Sequence, residues 1–252
     1  LVTGAVAGLV NGALVTLLNV PSIIATLGTM GLFRGVMLIL TGGNWIEELP
    51  LSLKGLAENG SFGVSVLTVI VVAVLVLTGL FVRYSRFGRY FYAVGDNRQA
   101  ARHLGIPVKL VQVGAFVAAG VLASIAGIIF AAQIGFIPNQ AGSGLELKAI
   151  AANVLGGVSL LGGTGTVPGI FVGVIFMTSI DSALVFLKIP AFWNDFIGGA
   201  VLLLVLILDG RVRMAVTRAI RAKRYAVHPQ QNSQSGSVPA GAGQNLPQEA
   251  GE

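Results

Sequence analysis

The feature that most constrains this chain is its series of long apolar runs with at most one charged side chain each, of which 110-132, with none, is the clearest. A bilayer core of roughly 30 Å needs about 20 apolar residues of helix to cross it. Runs of that kind recur at 1-18, 23-40, 64-82, 110-132, 166-187 and 190-208, and 148-162 is a marginal seventh. In lipid each backbone amide must find its partner within the segment, so the expected fold class is all-α: a polytopic transmembrane helix bundle of about six spans. Segment 148-162 is short and rich in Ala and Gly, which predicts a broken or re-entrant helix shielded by protein.

Composition agrees. Hydrophobic residues make up 54% of the 252, charged residues only 10%, and mean hydropathy is +0.84. A soluble domain carries roughly 25% charged residues, so lipid is the main solvent implied. The chain has no cysteine, which excludes disulfide frameworks, Cys-ligated metals and Cys nucleophiles. The excess of Lys and Arg over Asp and Glu, 16 to 10, falls in two stretches rather than along one face, so it points to membrane topology and away from a nucleic-acid partner.

Those stretches set an expected orientation. Residues 83-109 hold Arg83, Arg86, Arg89, Arg98, Arg102 and Lys109 against Asp96, and another basic group follows residue 210, so both are expected in the cytoplasm. Connection 41-63 carries Glu47, Glu48 and Glu58 against Lys54 and belongs outside. Parity then makes successive spans alternate in direction and puts Leu1 outside; the chain reads as a fragment lacking an odd number of upstream spans. The expected organisation is a permease domain, 1-210, with a loop at 83-109, followed by a basic and then Gln/Ser/Gly/Pro-rich disordered cytoplasmic tail, 211-252. Small residues four apart, at Gly4/Gly8/Gly12, Gly31/Gly35, Ala119/Ala123/Gly127 and Gly169/Gly173, predict close helix packing.

Chemistry is sparse. Gly162-Gly163-Thr164-Gly165-Thr166 lacks the Lys and the preceding strand of a phosphate loop and reads as a tight turn. His103 and His228 have no metal-ligand spacing, and no nucleophile–base set lies at membrane depth, so no metal, cofactor or catalytic residue is expected. Arg34 and Asp181 lie inside spans, each about 9 Å from an outer helix end. They read either as interfacial side chains, Arg34 by snorkelling, or as the lining of an outer vestibule for a polar solute. On the basic loop, Asp96 or Asn97 can cap a short helix through 98-104 that Gly105-Ile106-Pro107 stops. Two turns are marginal alone, so that helix is expected to dock, on anionic lipid or on a partner subunit.

Three longer segments then carry a resemblance: 20-30 with Arg34-Gly35, 93-106 (AVGDNRQAARHLGI) and 149-163 (AIAANVLGGVSLLGG) are similar to the ribose-type permeases of ABC importers. Three more, 41-50 (TGGNWIEELP), 133-140 (QIGFIPNQ) and 189-196 (IPAFWNDF), resemble the autoinducer-2 branch of that family. The resemblance runs from residue 1 to about 225 and implies a type II importer: this permease, a related second permease subunit (D-type), two cytoplasmic ATP-binding subunits and a periplasmic solute-binding protein. It implies no chemistry in this chain and no cofactor. It assigns Gly95, Asn97, Ala100, Ala101, Arg102 and Gly105 to the ATPase-facing coupling region. Members of the family carry further helices before the position of Leu1, so this chain reads as N-terminally truncated. The rival readings are a ribose-like sugar permease and, from another class, a secondary transporter, which would show midplane charges or inverted repeats.

Overall fold

The computed structural model describes residues 1–47, 49–50, 55, 65–160, 162–190, 193, 196–201, 203 and 207. In chain order its helices are α1 (Val2–Leu17), α2 (Ser22–Thr41), α3 (Val66–Tyr84), α4 (Arg86–Asp96), α5 (Arg98–His103), α6 (Val108–Ile134), α7 (Leu145–Leu155) and α8 (Val167–Phe186). Contacts divide the chain into units Leu1–Leu202 and Leu203–Glu252, and all of these helices belong to the first. Nearly half of the expected span 190-208, all of the tail 211-252 and much of connection 41-63 lie outside the described residues.

Four helices, α2, α3, α6 and α8, are long and apolar enough to cross a membrane, and α1 is a shorter apolar helix. Their outward faces confirm the solvent: Ile39 is 81% exposed, Leu40 80%, Ile23 72% and Leu110 72%. In water so much continuous apolar surface would drive association, whereas in lipid it is already solvated. What joins the helices is close packing of small residues. Gly4 lies against Gly120 and Ser124, Gly8 against Phe116 and Val117, and Gly12 against Val113, so α1 and α6 run antiparallel with their backbones touching. A methyl group on Gly4, Gly8 or Gly120 would overlap the facing main chain.

The α6 ridge differs by one position from the sequence expectation. Gly120 and Ser124 face α1, while Ala119, Ala123 and Gly127 are exposed. Each residue turns a helix by about 100°, so a shift of one moves the stripe to another face. Gly31 and Gly35 likewise meet nothing within 4 Å in this chain. The α1–α2 contact instead includes a polar bond, the Thr29 hydroxyl donating to Asn11 Oδ1 at 2.6 Å, with Thr29 4% exposed.

A second antiparallel pair is built by α7 and α8. Gly156 packs on Gly169 and Ile170, and Gly173 on Ala152. Ala151, Ala152 and Met177 form a small core. Helix α7 has 11 residues, about 16 Å, half of a hydrocarbon core. The expected short helix is therefore present, but it runs from Leu145 to Leu155 and a turn follows at 156-157.

Between α3 and α6 the basic loop is more structured than expected. Ser85 Oγ accepts from the amides of Phe87 and Gly88 and so starts α4, an amphipathic helix that the high charge density of this stretch hides from a search for apolar runs. The paired α1–α6 and α7–α8 directions match the alternation inferred from charge.

Candidate functional site

Two clusters hold the candidate coupling and vestibule residues, one near each end of the bundle.

At the basic end, Asn97 rather than Asp96 caps α5: its Oδ1 accepts from Gln99 N and Ala100 N, both at 3.0 Å. The other end closes by a Schellman motif, with Ile106 N donating to Ala101 O at 3.1 Å and Gly105 N to Arg102 O at 3.0 Å. Gly105 supplies the left-handed residue this requires, at φ +75°. Ala101, 2% exposed, anchors the helix in a core with Val94, Val108 and Val111, against which Ile106 also packs. Six residues of helix are thus held in place by both caps and one buried methyl. The result divides the residues of this region: Asn97, Ala101 and Gly105 build the helix, Gly95 belongs to the end of α4, and Ala100 and Arg102 are exposed, as is Leu104 at 78%.

Sequence reading left the glycine turn apart from this helix, and the structure brings them together. The turn, closed by Ser159 N donating to Thr164 O at 3.1 Å, lies on the last turn of α4. A Cβ on Gly95 would stand 2.6 Å from Gly163 N, and one on Gly163, itself at φ +79°, 2.8 Å from Asp96 Cα. The Tyr92 hydroxyl donates to Gly165 O at 2.8 Å. Main chain therefore touches main chain where the α4–α5 loop meets the α7–α8 pair.

At the opposite end, Asp181 on α8 accepts from Lys148 Nζ on α7 at 2.9 Å, an ion pair 35% and 23% exposed respectively. Lys148 was not paired with it in the sequence, although Lys148 is the sole cation between Lys109 and Lys188 and so the nearest compensating charge for an intramembrane carboxylate. Arg34 on α2 donates to Ser143 Oγ at 2.6 Å. Both charges thus end on the segment 143-148 leading into α7. Around them the connections following α2 and α6 pack together: Ile46 and Ile137 exchange two backbone hydrogen bonds, Trp45 stacks on Phe136 at 5.8 Å, and Asn139 Nδ2 donates to Gly43 O at 3.3 Å. Of the third segment of that group, 189-196, Trp193 and Phe196 are described and meet edge to face at 5.6 Å. Among the described residues no group of three His, Cys, Asp or Glu is placed to hold a metal.

These are the parts of a transport protein: membrane helices, a polar cluster at one end and an exposed, rigidly capped helix at the other. Known proteins agree with that reading. The chain is 59% identical over 223 residues to a protein of Klebsiella pneumoniae named autoinducer 2 import system permease protein LsrC, covering 88% of this chain and 65% of that one. Proteins of the same name from Yersinia enterocolitica and Enterobacter sp. are 56% and 57% identical over 226 residues, or 90% of this chain. The chain spans 63% to 66% of the length of these three relatives. No solved structure matches it. Residues 1–206 match the family described as the permease component of branched-chain amino acid transport systems, and with four apolar helices to carry it through a bilayer, the chain belongs to that family of multi-pass membrane permeases.

Proposed function

We propose that this chain is a permease subunit of an ABC importer that moves autoinducer-2 inward across the bacterial inner membrane. The observation that carries the importer reading is α5: a two-turn helix with both ends capped, locked by Ala101 and presenting Arg102 outward on the basic side. Isolated helices of this length do not persist in water, so such careful capping implies a surface made for docking. The occupant of that surface is an ATP-binding subunit, which supplies the hydrolysis; this chain makes and breaks no covalent bond. A pair of those subunits, a related D-type permease subunit and a periplasmic solute-binding protein complete the assembly. The basic end and the C-terminus face the cytoplasm, and 1-210 forms the permease domain ahead of a tail, 211-252.

Mechanistically, closure of the ATPases shifts α5 with α4. Because Gly95 and Asp96 rest directly on the 162–165 turn, that shift is passed as a rigid-body movement to α7 and α8. The Arg34–Ser143 and Lys148–Asp181 contacts sit at the far end of the moving elements and form the polar lining of an outer vestibule. The loops holding Trp45 and Phe136 form the surface that receives the binding protein.

The family description names amino acids while the close relatives' names specify autoinducer-2, so the solute is the point to test. Cells lacking their own importer, expressing this chain with its neighbouring subunits, should take up labelled autoinducer-2 without competition from ribose or leucine. Competition by ribose would make it a simple-sugar permease, competition by leucine an amino acid permease.

A further inference from the structure

A cavity of about 750 Å³ lies between α3 and α8 beside the start of α4, touching the basic-end cluster only through Tyr92 and Thr166. Its walls are apolar: Leu75, Val76 and Leu80 from α3 meet Val167 and Phe171 from α8. At one end stand Arg83 and Arg89. The Arg83 guanidinium lies 5.6 Å from the centre of the Tyr84 ring, and neither arginine has a carboxylate partner among the described residues. No Asp or Glu lines the cavity. From Arg83 back to Leu75 the apolar wall runs about 12 Å along the helix. The groove is thus amphipathic along the membrane normal, with its cations at the helix ends and its greasy part at hydrocarbon depth.

We propose that this groove is a binding site for an anionic phospholipid, its phosphate held by Arg83 and Arg89 and an acyl chain lying between α3 and α8. Charge complementarity selects this occupant. Phosphate takes guanidinium donors in paired, charge-assisted bonds, and basic pockets between transmembrane helices on the cytoplasmic side hold acidic head groups. An apolar helix from another subunit would fill the lower part but leave two guanidinium groups desolvated without a counter-charge, at a cost of several kcal/mol per ion. Val76, Leu80 and Phe171 are half exposed along the groove.

The site requires only α3, α8 and the start of α4, so it stands or falls separately from the solute. The test is native mass spectrometry of the detergent-purified chain with dioleoylphosphatidylglycerol, dioleoylphosphatidylcholine or glycerol 3-phosphate. The expected result is a single phosphatidylglycerol adduct, about tenfold favoured over phosphatidylcholine, and no competition from glycerol 3-phosphate. Arg83→Gln with Arg89→Gln should erase the preference, Lys109→Gln should keep it, and Val76→Trp, which fills the groove and spares both arginines, should remove the adduct. Equal binding of the two lipids, a preference unchanged in the double variant, an equal loss in Lys109→Gln or an adduct surviving Val76→Trp would overturn the site. Competition by glycerol 3-phosphate would make it a phosphate site only, and loss of the adduct on co-purification with the second permease subunit would make it a subunit contact.

Discussion

The two ends of this bundle are held together by different means. The basic end joins main chain to main chain: Gly95, Gly162 and Gly163 bring the last turn of α4 and the α7–α8 turn into backbone contact, with the Tyr92–Gly165 hydrogen bond beside it. The other end is joined by side chains, through Lys148 to Asp181, Arg34 to Ser143 and Trp45 to Phe136. Backbone contacts through glycine cannot slide or repack, because every added atom overlaps a neighbour. Contacts between long polar side chains exchange partners with little backbone movement. The contrast is between a joint of close-packed backbone at the basic end and a surface of polar side chains at the other, and the proposed function would use the first for coupling and the second for solute.

The contrast breaks most completely at Gly163. Gly163→Val places a branched side chain at φ +79° against Asp96, which costs about 1–3 kcal/mol for the backbone alone. It should abolish uptake, and an uptake assay paired with quantitative membrane blotting checks that the protein persists. Next in size, Arg102→Glu reverses the exposed charge of α5 and should weaken capture of the ATP-binding subunit about tenfold in a pull-down, with the helix intact. Unchanged capture would move the docking surface elsewhere.

The far end should respond more gently. Asp181→Asn removes the Lys148 ion pair and should slow uptake a few-fold without lowering membrane abundance, and Lys148→Met should do the same. In the double variant the losses should not add, since both act on one contact. The smallest effect is expected from Trp45→Ala, which removes a stacked pair worth about 0.5–1.5 kcal/mol. It should raise the KM for uptake about threefold at unchanged kcat. A larger effect there than at Gly163 would invert the comparison.

Much of this was legible before any coordinates. The spans 23-40, 64-82, 110-132 and 166-187 lie within about two residues of α2, α3, α6 and α8, because the bilayer sets both their length and their composition. The antiparallel α1–α6 and α7–α8 pairs agree with the alternation read from Lys and Arg, and helix α5 followed from Asp96 or Asn97 as cap and Gly105-Ile106-Pro107 as stop, the structure choosing Asn97. Helix α4 was missed because its apolar residues are interleaved with Arg86 and Arg89, and an amphipathic interfacial helix leaves no long apolar run. The stripe at Ala119, Ala123 and Gly127 was displaced because small residues crowd several faces of α6 at once.

What the sequence determined by itself is what is governed by one segment and its solvent: which stretches are long and apolar enough to enter lipid, and where a short helix starts and stops. Only the tertiary structure decided the partners. Arg34 meets Ser143, 109 positions away, Asp181 meets Lys148 across 33, and the glycine turn finds Gly95 rather than a phosphate. Such pairings depend on the rotation and depth at which each helix settles against its neighbour. A change of about 100° per residue in that rotation hands the contact to a different side chain, and no local pattern records it.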